Sequence, residues 1–153
     1  MNSHYLFLNS KVNDFNKNNV FLDFTSVFHQ NINLNDKEWE LGLCEIYLDK
    51  KTTESTVSNR RSLVCPLMFV CCDIITPSFF NSISIHALRL IPEMIGKNYK
   101  NFDKVYYFDV TRKNIDKIRI YIKTAEEETR SFTDQTLYCT VHLREKIIQN
   151  EIY

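Results

Sequence analysis

Two stretches near the end of the chain alternate strictly between apolar and polar side chains. Residues 117–123 carry three isoleucines on one side and charged residues with a tyrosine on the other. Residues 136–144 repeat the alternation, with two leucines, a cysteine and a valine on one side. Because successive side chains of a β-strand point to opposite faces, this period of two predicts strands with one buried and one wet face. A helix would need apolar residues at spacings of three and four, which neither stretch provides.

The alternation also predicts which side chains of these strands face a core. The residues expected to point inward are Ile118, Ile120, Ile122, Leu137, Cys139, Val141 and Leu143. Those expected to point outward are Arg119, Tyr121, Thr140 and His142. Strands with a single buried face need a second layer to cover it, so we expect two packed layers of sheet.

Six further apolar segments bring the predicted set to eight strands. They cover residues 4–8, 20–28, 38–48, 67–75, 85–91 and 104–110. The segment 38–48 is apolar on both sides in places, so we expect it in the centre of a sheet, and its Gly42 indicates a bulge or a close backbone approach. Residues 87–94 also permit a helical interpretation, which Pro92 would cut short. Eight short strands without a convincing helix predict an all-β sandwich or barrel.

The segments between these strands are polar and lack a period. Residues 33–36 predict a turn built on asparagine and aspartate, which tolerate turn conformations better than most residues. The predicted surface loops are residues 13–19, 50–62 and 96–101 and the acidic run 126–128. No linker and no repeat of fixed period divides the sequence, so we expect a single domain over residues 1–153.

The composition is that of an ordinary globular protein without excess charge. Hydrophobic residues make up 44% and charged residues 25% of the chain, which argues against disorder. The 19 basic and 19 acidic side chains cancel, which removes the basic excess expected of a dedicated nucleic-acid-binding protein. Residues 1–54 contain five basic and eight acidic side chains, whereas residues 97–123 contain eight and three. Two interpretations remain: solvated strand faces, or a weakly basic surface that meets a partner or packaged nucleic acid.

The cysteines and the lack of targeting signals bear on the compartment. The cysteines are Cys44, Cys65, Cys71, Cys72 and Cys139, an odd number without metal-binding spacing. We expect all five to be free thiols in small apolar sites, with Cys71 and Cys72 on opposite faces of one strand. No secretory signal or membrane span is apparent, because the longest apolar run, near residues 67–70, is too short to cross a bilayer. The sequence therefore predicts a reducing, cytosolic or nuclear environment.

Sequence motifs for catalysis are absent. The chain contains no glycine-rich phosphate loop, no HExxH and no GxSxG element. Its four histidines are far apart, and His142 is interpreted as a surface residue on the polar side of its strand. Asp73 lies within a hydrophobic segment, where it needs a structural hydrogen bond or ion pair. We therefore predict that the protein is not an enzyme and has no catalytic, cofactor-binding or metal-binding residues.

Three stretches of the sequence together resemble one family. The first runs from residues 20–28 through Asn33-Leu34 to EWELGLCEI at 38–46, and the second is VCCDIITP at 70–77 followed by LRLIP at 88–92. The third spans residues 102–144 and includes RKNI at 112–115, IRI at 118–120 and VHLR at 141–144. In order and spacing they are similar to the minor capsid (penton) proteins of Polinton/Maverick elements and related adintovirus- and virophage-like viruses. The departures from the family pattern, at residues 48–49 and 78–81, fall in predicted loops.

This resemblance implies a single jelly roll of two four-stranded antiparallel sheets, in agreement with the eight strands counted above. It implies a structural subunit of a virion, five copies of which form a homopentameric penton at an icosahedral vertex, assembled in the host nucleus or cytoplasm. The expected partners are copies of the chain itself, a double jelly-roll major capsid protein and, weakly, packaged nucleic acid, with no membrane partner. The alternative is a monomeric β-sandwich that binds a protein or carbohydrate ligand.

Overall fold

A computed structural model describes residues 2–10, 23–50, 67–92, 99–124 and 135–147. Within them the chain forms eleven β-strands and no α-helix. The strands are β1 Ser3–Asn9, β2 Asp23–Asn33, β3 Trp39–Lys50, β4 Leu67–Cys72, β5 Ser78–Phe80, β6 Ile83–Ile85, β7 Ala87–Pro92, β8 Tyr99–Asn101, β9 Tyr107–Asp109, β10 Asn114–Thr124 and β11 Gln135–Glu145. The described part of the chain holds no helix long and apolar enough to cross a membrane.

The strands form two antiparallel sheets and one hairpin. Sheet A has the order β1–β11–β3–β8, and β9 also pairs with β3. Because β8 pairs with residues 45–47 and β9 with residues 40–42, the two short strands share one position beside β3. Sheet B has the order β2–β10–β4–β7, and β5 pairs with β6. Each sheet therefore has the four strand positions expected from the sequence, although sheet A contains five strands.

With β8 and β9 counted as one strand position, the chain crosses between the two sheets at every step except from β4 to β7, which are both in sheet B. The chain passes from β1 in sheet A to β2 in sheet B, returns to β3 in sheet A and crosses again to β4 in sheet B. The β5–β6 hairpin leads on to β7, which lies beside β4, after which β8 and β9, β10 and β11 alternate between the sheets. This connectivity is that of a jelly-roll sandwich. The prediction of an all-β jelly-roll fold is confirmed, and β3 lies inside its sheet as expected.

The core fills the space between the sheets with residues from both. The buried members of the inward set predicted for the two alternating strands are Ile118, Ile120, Leu137, Cys139, Val141 and Leu143. Ile122, near the end of β10, is half-buried and packs against the same cluster. The inward set predicted from the alternation is therefore confirmed, since each member contacts the core.

The outer sides of the same strands are less exposed than predicted. Arg119 is exposed, but Tyr121 and His142 are half-buried and Thr140 is only 7% exposed. The outward orientation predicted for Thr140 is confirmed, because it is paired with Phe7 and Glu45 of the outer face, and neighbouring side chains cover it there. Its hydroxyl donates a hydrogen bond to Oε1 of Glu45 on β3 at 2.7 Å.

Two predicted strands have different limits in the structure. The segment 67–75 is a strand only as far as Cys72, after which the chain turns and Ile75 forms an isolated bridge with Val110. The segment 85–91 is divided at His86, because the preceding residues belong to β6 and the following ones to β7. The helical interpretation of residues 87–94 is wrong for residues 87–92, which form the strand β7. An edge strand accepts proline because the lost N–H is not needed by a neighbour.

A strand was missed in the predicted loop at 96–101, where β8 pairs with β3. The predicted strand 104–110 is reduced to β9, with a bridge at its end. Three-residue strands are too short to show a period, so the sequence cannot reveal them. Several predictions fall outside the described residues: the loops at 13–19 and 126–128, residues 51–62 of the loop predicted at 50–62, residues 20–22 of the second predicted strand, and Cys65.

Asparagine replaces glycine at two turns of the chain. Asn35 and Asn81 adopt positive φ angles of 53° and 54°. The side-chain oxygen of Asn33 accepts a hydrogen bond from the N–H of Asn35 at 2.9 Å, which closes the turn between β2 and β3. The turn predicted at residues 33–36 is confirmed, and its left-handed residue is of the type that tolerates this conformation best after glycine.

The β5–β6 hairpin covers part of the outer face of sheet B. A second apolar cluster there joins Phe69 and Cys71 of β4 to Ile85 and Phe80 of the hairpin. The rings of Phe69 and Phe80 meet edge to face, with centroids 5.0 Å apart. Cys72 instead belongs to the main core, so the two neighbouring cysteines face opposite sides as predicted.

Candidate interaction surface

The outer face of sheet A is aromatic, although a solvated sheet face is usually polar. We call it the aromatic face, formed by Tyr5 and Phe7 of β1, Tyr138 of β11, Tyr47 of β3, Tyr99 of β8 and Tyr107 of β9. These side chains share one face because residues paired across an antiparallel sheet point the same way. Phe7 is 77% exposed and Tyr5 58%. Exposed aromatic clusters mark interaction surfaces, where tyrosine and phenylalanine are enriched.

A shallow groove of about 230 Å³ lies at the β8 end of the aromatic face. The aromatic residues that line it are Phe7, Tyr47, Tyr99 and Tyr138. Glu45 also lines the groove and accepts hydrogen bonds from the hydroxyls of Thr140 and Tyr99, each at 2.7 Å. These hydrogen bonds, from Thr140 first and then Tyr99, lower the pKa of the Glu45 carboxyl. The groove therefore combines aromatic walls with an ionised carboxylate.

At the other end of the aromatic face, four residues form a row across sheet A. In order across β1, β11, β3 and β9 they are Tyr5, His142, Gly42 and Tyr107. The hydroxyl of Tyr107 reaches past Gly42 to within 2.8 Å of Nδ1 of His142. The ring of Tyr5 stacks on the same imidazole, with centroids 4.4 Å apart and planes 10° from parallel. The row thus connects four strands: three contribute side chains, and β3 contributes Gly42, which has none.

Gly42 is the position that permits this arrangement. A Cβ at residue 42 would lie 2.5 Å from Cγ1 of Val105 and 2.8 Å from the backbone oxygen of Tyr106. The predicted close backbone approach is confirmed, since no larger residue fits without movement of the backbone. The predicted bulge lies two residues further on: the register between β3 and β11 shifts so that Cys44 has no partner on β11.

His142 is enclosed and not the surface histidine predicted from the sequence. Burial, reinforced by the charge of Arg144, lowers the pKa of the imidazole. When Nδ1 of neutral His142 accepts a hydrogen bond from the Tyr107 hydroxyl, its Nε2 carries the ring proton. That Nε2 is buried and has no hydrogen-bond partner among the described residues. The enclosure arises from Tyr5 and Tyr107, which lie far from His142 in sequence.

An ion pair completes the cluster around Tyr107. The Nε of Arg144 donates to Oε1 of Glu40 at 2.7 Å, and the Arg144 guanidinium lies 3.4 Å from the centre of the Tyr107 ring. Cation–π contact and ion pair together orient the tyrosine. The arrangement holds a neutral imidazole against aromatic rings, so it stabilises the outer face of the sheet and activates no nucleophile.

The opposite side of the sandwich also exposes large apolar side chains. On the outer side of sheet B, Phe79 is 75% exposed, Val27 72% and Ile83 59%. We call these three residues the hairpin patch, because two of them belong to the β5–β6 hairpin. The sandwich therefore exposes apolar side chains on both of its outer faces.

The basic stretch at residues 97–123 is partly neutralised within the chain. Arg119 forms a two-point contact with the carboxylate of Asp23, at 2.8 Å and 2.6 Å. The same residue donates its backbone N–H to Asp73 at 3.0 Å, and Arg112 lies 3.4 Å from that carboxylate. Asp73 therefore has the structural hydrogen bond and ion pair expected of it.

Three cations gather where the edges of the two sheets meet. We call this the basic edge: Arg89 of β7 with Lys100 and Lys104 of the β8–β9 region. The Arg89 guanidinium lies 4.4 Å from the Phe102 ring centre and 4.0 Å from that of Tyr106, and its Nη1 donates to the backbone oxygen of Lys104 at 2.7 Å. Cations held beside aromatic rings suit contact with phosphate groups.

The described cysteines are free thiols, namely Cys44, Cys71, Cys72 and Cys139. Burial raises the pKa of the Cys71 and Cys139 thiols to about 12. These thiols are therefore protonated at neutral pH and unreactive. Residues 2–10, 23–50, 67–92, 99–124 and 135–147 contain no group of three or more histidine, cysteine or acidic side chains that could hold a metal ion.

Aromatic residues at outward positions of the predicted strands are the sequence feature that indicates the aromatic face. Tyr5, Phe7, Tyr47 and Tyr138 each occupy an outward position of an alternating strand, where a polar residue is usual. Aromatic residues at outward positions in three different strands predict one aromatic surface only when the strand order is known. That order comes from the fold, which places β1, β11 and β3 side by side.

The fold itself has a counterpart among solved structures. No family model matches the chain, and no curated protein matches it in sequence. The crystal structure of the selenomethionine-labelled mavirus penton protein is similar, with a TM-score of 0.58 over 95% of this chain and 100% of that one. The two sequences are only 5% identical over the superposition. The chain therefore shares its jelly-roll fold, over nearly its whole length, with a penton protein.

Proposed function

We propose that the chain is a penton-type minor capsid subunit, which assembles as a homopentamer at the vertices of an icosahedral virion. The observation that carries the proposal is the exposed aromatic face on a jelly roll that superposes on the full length of a penton protein. A solvated monomer gains nothing from Phe7 and Tyr5 on its surface, whereas an assembled subunit buries them. Residues 1–153 act in this proposal as one structural domain without catalysis.

A ring of five requires two different surfaces on each subunit. The interface is heterologous, so a patch on one copy meets a different patch on the next, and the rotation closes the ring. The aromatic face and the hairpin patch lie on different sides of the sandwich, so one copy can present its aromatic face to the hairpin patch of the next. We place the aromatic face of each copy against the hairpin patch of the next.

Charge plays a secondary part in this interface. The uneven charge of the chain offers one contact between copies, in which the acidic residues 1–54 of one copy meet the basic residues 97–123 of the next. Asp23 and Glu40 are instead paired with Arg119 and Arg144 of their own chain. Affinity then comes from buried aromatic area, while the remaining exposed charges orient the approach.

The proposal includes two further contacts in the virion. The subunit sits beside a double jelly-roll major capsid protein, in a virus or element of the Polinton/Maverick, adintovirus or virophage type. The basic edge, with Arg89, Lys100 and Lys104, is the surface for weak contact with packaged nucleic acid. No membrane contact is part of the proposal.

Light scattering coupled to size-exclusion chromatography tests the assembly directly. The expected mass is five times that of the 18.2 kDa chain at high protein concentration or in the presence of the major capsid protein. Replacing Phe7 and Tyr47 together by serine should leave a folded monomer. Phe79→Ser changes the hairpin patch, the other surface of the interface, and should lower the fraction of pentamer. Ile147→Ser is the control, since Ile147 is 65% exposed but lies beyond the end of β11. A wild-type chain that stays monomeric and does not bind capsid vertices would contradict the proposal.

A second candidate function is supported by the groove on the aromatic face. Aromatic walls of Tyr47, Tyr99 and Phe7 beside the Glu45 carboxylate could hold a sugar ring, which stacks on aromatic side chains and donates hydroxyl hydrogen bonds. A monomer that binds an oligosaccharide, and loses it in Tyr99→Ala, would favour this binding module over the capsid subunit. A pentamer that binds none of a panel of oligosaccharides would exclude the binding-module function.

A further inference from the structure

The four outer edges of the two sheets differ in how they are protected. An edge strand exposes unpaired backbone N–H and C=O groups, and proteins usually protect it with charges, proline, bulges or short length. β7 carries Arg89 and ends at Pro92. β8 and β9 are three residues each, and β2 leaves regular pairing with β10 between Val27 and Ile32.

β1 has none of these protective features. Its sequence, SHYLFLN, contains no charged residue and no proline. It pairs with β11 over all seven residues without a register shift. A long, regular, uncharged edge strand is the type that accepts another strand. Among the described strand edges, β1 is therefore the one open to strand addition.

The hydrogen-bond pattern shows which backbone groups of β1 are available. Glu145 donates its N–H to the oxygen of Asn2, so the two residues form a hydrogen-bonded pair. In an antiparallel ladder such pairs alternate with pairs whose backbone groups point away from each other. The N–H and C=O groups of Ser3, Tyr5 and Phe7 therefore point out of sheet A at its free edge. The side chains of Tyr5 and Phe7 lie on the aromatic face beside that edge.

We propose that β1 is an acceptor edge for an extended, uncharged segment of a different polypeptide chain, which adds to sheet A as a further strand. The backbone groups of β1 require an extended partner, and the lack of charge on β1 matches a partner strand without charge. The neighbouring charges, Arg144 and Glu40, already neutralise each other. The added strand pairs with the backbone of β1, so its side chains would lie beside Tyr5 and Phe7 and not over them.

The choice of a different chain, and not a second copy of β1, rests on the proposed pentamer. Pairing β1 with β1 is isologous and has two-fold symmetry, which a ring of five cannot provide between its members. The ring uses the two outer faces of the sandwich and leaves the edge of β1 free. A partner of another sequence can then bind each copy.

The probe is a peptide with the β1 sequence SHYLFLN, capped at both termini and labelled with an uncharged fluorophore, because it is then uncharged at pH 7.5 and alternates as required. Fluorescence anisotropy should show binding to wild type and to Phe7→Ala. Phe7→Pro removes the outward N–H without disturbing a ladder bond to β11, so it should bind the probe about tenfold more weakly than Phe7→Ala. The same peptide N-methylated at every backbone amide can pair through neither of its edges, so it should fail to bind wild type. This comparison does not depend on the folding of a variant. Circular dichroism checks that Phe7→Pro is folded.

Other outcomes overturn the inference. Equal probe binding by Phe7→Pro and Phe7→Ala, or binding of the N-methylated peptide, would show that the backbone edge is not the acceptor. Dimers of wild type that Phe7→Pro abolishes would make a second copy the occupant. Light scattering reports the pentamer separately, so loss of the ring with intact peptide binding would refute the proposed function and not the acceptor edge.

Discussion

Gly42 lies directly opposite Tyr107 in sheet A, and a Cβ at residue 42 would sit 3.0 Å from Cδ1 of that tyrosine. The tyrosine can therefore cross β3 only where β3 has no side chain. Its hydroxyl then reaches His142 on the far side of that strand. The absence of a side chain at Gly42 thus permits the Tyr107–His142 hydrogen bond at this end of the aromatic face.

Replacing Gly42 by alanine should destabilise the protein. An alanine in a strand is usually at least as favourable as glycine, because it restricts the unfolded chain. Here its methyl group would meet Val105 and a backbone oxygen at 2.8 Å, so we expect a loss of about 1–3 kcal/mol, typical of overpacking. Urea unfolding measures the difference, with the exposed Ser84→Ala as control. A neutral or stabilising Gly42→Ala would contradict the close approach.

Replacing Ile120 by alanine should open a cavity in the core. Ile120 is fully buried between the sheets and pairs with Phe24 on one side and Cys72 on the other. Removal of a buried isoleucine side chain costs about 2–5 kcal/mol. Val27→Ala, on the exposed side of β2, is the control and should cost far less. Similar unfolding midpoints for the two variants would mean that Ile120 is not a core residue.

Protonation of His142 should destabilise the fold at mildly acidic pH. Its pKa is lowered in the folded state, so the unfolded chain binds the proton more tightly. The contribution is fully present above the unfolded pKa of about 6.5 and is lost as the pH falls below it, at a rate of up to about 1.4 kcal/mol per pH unit.

Urea unfolding between pH 5 and pH 7.5 measures this effect in wild type and His142→Gln. The variant should show a weaker pH dependence over that interval, and His29→Gln is the matched control for loss of a histidine. Glu45 has a lowered pKa, so its contribution is lost only at lower pH, outside the interval. An unchanged pH dependence in His142→Gln would show that His142 is accessible when folded.

All five cysteines should be titratable as free thiols once the chain is unfolded without reductant. Thiol titration in guanidinium should find five groups per chain, including Cys65, and elemental analysis should find no stoichiometric zinc. In the folded protein Cys72 and Cys139 should react slowly, because burial raises their pKa. Fewer than five thiols in the unfolded chain would reveal a disulfide or a modification.

The parts of the fold that the sequence predicted are those set by local alternation. Ile118 and Ile120 could be placed inward because the pattern of one strand is sufficient to orient it. The burial of Thr140 and His142 could not be predicted, since it depends on residues of β1, β3 and β9 that meet only in three dimensions. The same limit applies to the aromatic face and to the free edge of β1, because both depend on strand order.

Ionic strength should change the rate of pentamer assembly more than its final extent. Aromatic residues such as Phe7 supply the buried area, and buried apolar contact is insensitive to moderate salt, whereas exposed charges are screened within about 8 Å at 0.15 M. Stopped-flow light scattering should therefore show slower assembly at higher salt with the same final mass.

Charge reversal at the basic edge tests which charges orient the incoming subunits. Lys100→Glu combined with Lys104→Glu should slow assembly at low salt as high salt does for wild type. Lys113→Glu, at an exposed cation just before β10 and outside both proposed contact surfaces, is the control for reversal of a charge. Disassembly of the pentamer at high salt would instead show that charge pairs between copies supply the affinity.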